Sequence, residues 1–322
     1  MMKQRIYIIV AIFLLLVVVA YMARDLFFSP KENVTNPYEY ELAKLKKSDS
    51  SLLAYAEKQQ VKTSLEEIHG VAVDASDQIY VCGKEGVELF DMTGNPEKKF
   101  SIGGIANCLY IDQKGTIYLG IQDHVEVYNA EGKLRGKWKS CGEDAFITSI
   151  AVTDSFAFLA DAGKKVVYRY DLSGRQLNRI GEKDPERNVP GFVIPSPYFD
   201  LGIGKENELW VVNPGRHTFE KYSYDGRLIS SWGEGSMSVE GFCGCCNPSN
   251  FALLSDGSFV TSEKGIERVK VYSPQGKFEC VVAEPDSFEA GTKGLDLAVD
   301  TQDRIIVLDP VKKLIRIFLK KS

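Results

Sequence analysis

From about residue 52 onward, apolar and polar positions follow one recurring order. A short apolar strand is followed by an acidic or Gly turn and a second apolar strand. A polar loop, a third strand ending in an aromatic, a Gly turn and a fourth strand complete the unit. The first unit is GVAVDASDQIYVCGKEGVELFDMTGNPEKKF, from Gly70 to Phe100. The second is CLYIDQKGTIYLGIQDHVEVYNAEGKLRGKW, from Cys108 to Trp138. Later units end at Ile180, Trp232, Val282 and Leu319. Alternating or wholly apolar runs of this length are the pattern of half-buried and buried strands. Turn glycines stand at Gly94, Gly132, Gly174, Gly226 and Gly276. Six residues after each comes a large apolar residue: Phe100, Trp138, Ile180, Trp232 and Val282. Four short strands repeating every ~40–50 residues predict a β-propeller.

The sixth unit ends after its third strand, which would leave a sheet edge open. Open edges recruit stray strands, and propellers protect them. Residues Leu52 to Thr63 (LLAYAEKQQVKT) lie where the missing strand is needed. The expected architecture is an all-β, six-bladed β-propeller whose N-terminal strand closes the last blade against Leu314 to Leu319.

The run Ile6 to Met22 is uncharged and follows Lys3 and Arg5. It is near the short end of what spans a bilayer, and the basic flank places the N-terminus inside. The expected organisation is a single transmembrane signal anchor over 1–24, a stalk over 25–51 and the propeller over 52–322, on the extracytoplasmic side. A cleaved signal peptide, with Val18 and Ala20 before the cut, is the competing reading.

The 322 residues carry a net charge of −5, which speaks against a nucleic-acid footprint. The segment DGRLISSWGEGSMSVEGF, followed by NPSNFALLSDGSFVTSEKGIERVKVYSPQGKF, resembles NHL repeats. That resemblance covers about residues 52–320. It implies a six-bladed propeller related to the sugar-lactonase type. Such propellers bind proteins, sugars or RNA, or act as metal-dependent lactonases or lyases. Fold alone does not choose among these.

In propellers, the residues leading into the innermost strands face the central channel. Aligned on Asn250, these lead-in positions are His69, Asn107, Thr148, Phe199, Asn250 and Leu295. Loops between second and third strands add Asp161, Glu263 and Asp309. The ligand-binding candidates are His69, Asn107, Asn250, Asp161, Glu263 and Asp309. Asn and Asp in such loops also cap their own backbone. Asn107, Asn250, Asp161, Glu263 and Asp309 have the oxygen chemistry of a hard divalent cation site, as the lactonase resemblance implies.

Three of seven cysteines, Cys243, Cys245 and Cys246, stand in a CGCC run ahead of Pro248, where NHL repeats carry a shorter link. Thiols so placed suit a disulfide, a thiolate-bound metal or redox chemistry. Cys245 with Cys246, or Cys243 with Cys141, are possible disulfide pairs. No CxxCH, GxSxG, P-loop or GxGxxG motif is present. The expected function is a membrane-tethered binding module for a protein partner or a small extracytoplasmic ligand. The alternative is a metal- or cofactor-dependent enzyme or redox accessory working at the channel mouth and the CGCC loop.

Overall fold

The computed structural model of the chain describes residues 7, 12–20, 22, 24, 47–244, 246–289 and 291–321. The chain divides into two compact units, Met1–Leu42 and Ala43–Ser322. In the first, residues 12–20 are helical with exposed side chains. No helix among the described residues is long and apolar enough to cross a membrane, which corrects the expected transmembrane helix. The described helical stretch, residues 12–20, is shorter than the ~20 residues that a span needs. Most of the expected stalk, residues 25–46, lies outside the described residues.

The second unit is all β. Strand β1 (Tyr55–Lys62) comes first. One sheet then takes β2 (Ile68–Val73), β3 (Ile79–Phe90), β4 (Pro96–Ile111), β5 (Ile117–Ile121), β6 (His124–Tyr128) and β7 (Leu134–Lys137), in that order. The next holds β8 (Ile147–Val152), β9 (Phe156–Asp161), β10 (Val166–Asp171) and β11 (Gln176–Ile180). Strands β12 (Leu201–Ile203), β13 (Leu209–Asn213), β14 (Thr218–Tyr222) and β15 (Leu228–Trp232) make another. So do β16 (Asn250–Leu253), β17 (Phe259–Glu263), β18 (Arg268–Tyr272) and β19 (Phe278–Ala283). The last contains β20 (Leu297–Val299), β21 (Ile305–Asp309) and β22 (Leu314–Lys320), with β1 beside β22.

The described strands therefore form five blades, not the six expected. The first blade is six-stranded and carries both of the first two repeats. The cause is local. β4 pairs with β3 through Ile105 and with β5 from Ala106 onward, so one unbroken strand serves both repeats. Its crossing segment, Ser101–Ile105, has no proline and stays strand throughout, paired with β3 at both ends. Elsewhere the repeats are separated by long irregular segments (138–146, 181–200 and 233–249) that break the ladder.

The edge is closed as the pattern requires: β1 runs antiparallel to β22, from Tyr55 opposite Lys320 to Lys62 opposite Leu314. Arg316 Nε and Nη2 donate to the two Glu57 carboxylate oxygens at 2.8 and 2.7 Å. The repeat's glycine has a packing role as well as a turn role. Gly132 has φ +76°, and a Cβ there would fall 2.5 Å from the Phe100 ring. The large residue ending one repeat thus lies on the turn glycine of the next. Val61 of β1 lies on Gly94 in the same way, so the closing strand stands in for a preceding repeat.

Candidate functional site: the channel mouth

The first strand of each repeat lines the central channel, and the residue leading into it stands at the mouth. Five of the six lead-in residues, His69, Asn107, Thr148, Phe199 and Asn250, line one cavity of about 260 Å3. Phe146, Pro197, Tyr198, Lys293 and Pro310 complete its wall. The sixth, Leu295, is buried in the apolar core instead. A second cavity of about 250 Å3 follows the inner strands and shares His69, Asn107, Thr148 and Asn250 with the first. The two form a funnel leading into a channel.

Polar groups in this region also couple neighbouring repeats. His69 Nδ1 lies 3.1 Å from the Ala106 carbonyl. Asn107 Nδ2 donates to Ile147 O at 3.3 Å, and Thr148 Oγ1 to Phe199 O at 2.5 Å. Asp200 Oδ2 accepts from the Phe251 N–H at 2.7 Å. Asn250 Nδ2 donates to Asp296 Oδ1 at 3.2 Å. Asp296 Oδ2 accepts from the Val71 N–H at 2.8 Å, which returns the series to the first repeat. Each such bond contributes about 1 kcal/mol net. Part of the mouth's hydrogen-bonding capacity is therefore committed to holding the ring together.

Asp200 and Asp296 are the residues that sequence reasoning missed. Burial pushes the Asp200 carboxyl up to about 6. Burial first, then the Asp200 charge, pushes Asp296 up to about 7. The signal was one residue away, since they directly follow the lead-in positions Phe199 and Leu295.

The structure places Asp161, Glu263 and Asp309 away from this cavity, at the ends of β9, β17 and β21. Asp161 Oδ1 accepts from the backbone N–H groups of Phe146, Gly163 and Lys164 at 2.9, 3.0 and 3.0 Å. Asp309 Oδ1 accepts from Lys312 N at 3.1 Å, and its Oδ2 is 3.6 Å from Arg316 Nη1. Glu263 Oε1 accepts from Cys243 N at 3.2 Å. These carboxylates pin loops. Among the described residues, no group of three or more His, Cys, Asp and Glu side chains could hold a metal ion.

Cys243 and Cys246 are buried; Cys245 lies outside the described residues. Cys243 and Cys246 also stand three apart, a spacing the adjacent pair obscures in the sequence. Cys243 and Cys141 both carry free thiols and are not joined. Burial pushes the Cys243 thiol up, and the Glu263 carboxylate adds to it. Beneath the loop, Glu263 Oε2 meets Arg268 Nε at 2.9 Å and Lys270 Nζ at 3.2 Å. Arg268 Nη2 reaches to 3.7 Å from Cys243 Sγ. Lys270 donates to the carbonyls of Val239 and Gly241 at 3.1 and 2.7 Å, and burial pushes its ammonium down to about 8.

The loop is tied to the funnel wall. Asn247 Nδ2 donates to Cys243 O at 2.5 Å and to Lys264 O at 2.9 Å, and its Oδ1 accepts from Lys264 N at 2.9 Å. His217 Nδ1 lies 3.1 Å from the Asn247 carbonyl. Lys264 Nζ donates to Ser196 Oγ at 2.8 Å and sits 5.1 Å from the centre of the Tyr198 ring.

No protein-family profile matches the chain, and no curated protein does. Solved structures do. A streptogramin B lyase superposes with a TM-score of 0.59 at 10% identity, covering 83% of this chain and 98% of that one. A Bacteroides thetaiotaomicron protein of unknown function gives 0.61 at 13%, covering 82% and 72%. The WD40 propeller domain of Doa1 gives 0.55 at 14%, covering 81% and 82%. Similarity at these identities shows the β-propeller fold and nothing finer. The NHL resemblance rests on the quoted segment alone.

Proposed function

We propose that this chain is a binding propeller whose site is the funnel at the channel mouth, and that it takes a small ligand there. The supporting observation is the convergence of five lead-in residues from different repeats on one cavity. Its volume lies just under the ~300 Å3 at which drug-sized sites begin, which suits a small molecule. Its wall mixes aromatic and proline surface with a few polar side chains, the usual make-up of a ligand site. The name of the streptogramin B lyase shows that a propeller of this fold can act on a small molecule.

Export belongs to the same reading. It is supported by the apolar run 6–22 behind Lys3 and Arg5, and by the exposure of side chains 12–20. A reporter fused after residue 322 should be active outside the cytoplasm; activity only inside defeats the export reading.

The site itself is tested by a thermal-shift screen of small molecules on the full-length chain and on Asn107→Trp, which sets a bulky ring where the two cavities meet. A ligand at a hundred times its Kd should stabilise the native chain by about 2.7 kcal/mol. That stabilisation should vanish in a folded Asn107→Trp chain. Hits that persist undiminished place the site elsewhere.

A further inference from the structure

Two carboxylates line the channel beneath the funnel, the buried Asp200 and the half-buried Asp296, and neither pairs with a Lys or Arg among the described residues. Their oxygens accept from the backbone N–H groups of Leu201, Phe251 and Val71 and from Asn250 Nδ2. Some buried acids of this chain hold a cation: Glu263 has Arg268 and Lys270, Asp300 has Arg304, and Asp309 has Arg316. Asp161, Glu220 and Glu267 are held by neutral donors, as Asp200 and Asp296 are, but those three do not line the channel. A buried carboxylate without a counter-charge is costly, and either a proton or a cation relieves it. Asn250 adds an unspent acceptor, because its Oδ1 is buried and accepts no hydrogen bond. What this floor lacks is a donor that carries positive charge.

We infer that the channel floor takes an organic ammonium group, received by Asp200, Asp296 and Asn250 Oδ1, with the ligand's apolar body against Phe146, Tyr198 and Phe199. This rests on the funnel being the ligand site. An ammonium supplies three N–H donors on one charge and matches the two carboxylates and Asn250 Oδ1. A metal ion fits less well. Among the described residues, no three His, Cys, Asp or Glu side chains are grouped to hold one. The upper wall offers rings and prolines to a hydrocarbon body.

Proton competition follows from the same geometry. Burial holds Asp200 at about 6, and burial with the Asp200 charge holds Asp296 at about 7. The ammonium should therefore bind best at about pH 8 and weaken steadily towards pH 5. The other titratable groups around the two cavities are His69 on β2, Cys108 and Tyr110 on β4 and Tyr198 and Lys293 at the mouth, with Cys82 of β3 near Asp296. Burial pushes both thiols up, so they stay neutral. His69 faces the same ligand group from β2. Asp296→Asn separates the effect of His69 from that of the carboxylate, because it keeps the ring and an acceptor for Val71 N–H.

The experiment is calorimetric titration of the full-length protein with phenethylammonium, its neutral alcohol analogue and its carboxylate analogue. The expected order is ammonium tightest, alcohol at least about tenfold weaker and carboxylate weaker still. Asp200→Asn and Asp296→Asn should each weaken the ammonium about tenfold at pH 8 and leave the alcohol unchanged. If those variants fail to fold, the probe series and its pH dependence on the native chain decide alone. Alcohol or carboxylate binding as tightly as the ammonium overturns the cationic specificity and leaves the funnel as a site. Calcium or magnesium binding lost in the Asp variants, without ammonium binding, overturns it in favour of a metal. Absence of heat from every probe overturns this inference, while the funnel itself stands or falls by the Asn107→Trp screen.

Discussion

Trp232 lies across the turn glycine of the following repeat, Gly276, so closely that a Cβ built on the glycine would enter the indole ring. Gly276 also has φ +80°, where an L side chain is strained. Two penalties therefore coincide at one residue. Gly265 has φ +85° with open space around it and carries only the first. Gly276→Ala should cost about 3 kcal/mol, and Gly265→Ala about 1 kcal/mol. Urea denaturation of the two variants measures the difference; equal losses would show that the indole moves aside freely.

The closing strand should control the whole domain. Glu57 receives two hydrogen bonds from the buried Arg316 guanidinium, which also donates to Ser287 O at 2.8 Å. Glu57→Gln keeps the shape and removes the charge. The expected loss is about 2 kcal/mol, short of the larger cost of a fully buried pair because Glu57 is partly exposed. Deleting residues up to Thr63 should abolish cooperative unfolding, since β22 then keeps only β21 and its other edge is left open along its whole length. A truncated chain that melts like the full-length one refutes this.

Acid should stabilise the channel. Asp200 and Asp296 titrate at higher pH in the folded chain than an ordinary carboxyl does, so the folded state binds more protons than the unfolded one. Their contribution is fully favourable below about pH 4 and is lost as pH rises through about 6 and 7. Replacing both with Asn should remove a fall of a few kcal/mol between pH 5 and 8. Denaturation midpoints across that window test it; an unchanged slope in the double variant sinks it.

Lys270 should govern access to the cysteine loop. Its ammonium holds the carbonyls of Val239 and Gly241 and shares the Glu263 carboxylate with Arg268. Lys270→Met frees the loop and should cost about 3 kcal/mol. In a chain also carrying Cys245→Ser and Cys246→Ser, it should speed iodoacetamide labelling of Cys243 at least about tenfold. Mass spectrometry of the labelled peptide reads the rate. Labelling as slow as with Lys270 in place would show that the loop is held elsewhere.

How much of this was legible in the sequence depends on range. The spacing from turn glycine to large apolar residue was legible because turn sterics recur in each repeat, and contacts like that of Trp232 on Gly276 recur at Gly94, Gly132 and Gly174. The lead-in ring was legible because aligned repeats place His69, Asn107, Thr148, Phe199 and Asn250 at equivalent points of the fold. The merging of the first two repeats was not, because Ser101–Ile105 becomes strand by pairing back across a hairpin on Lys84 and Gly86, which its own residues do not announce. The duties of Asp161 and Asp309 were not, because an Asp that pins a turn and one that faces a ligand look alike until the loop is placed. Asp200 and Asp296 hide behind the apolar residues Phe199 and Leu295. Only the close packing of inner strands makes their carboxyls matter.

The pairing of β1 with β22 also fixes an order of events. Glu57 and Arg316 are 259 residues apart, so the first strand to leave the ribosome waits for the last before it has a partner. Until then β1 is an open edge on an unfinished ring. A chain built this way keeps an open ring until β22 is made, and closes only when that strand arrives.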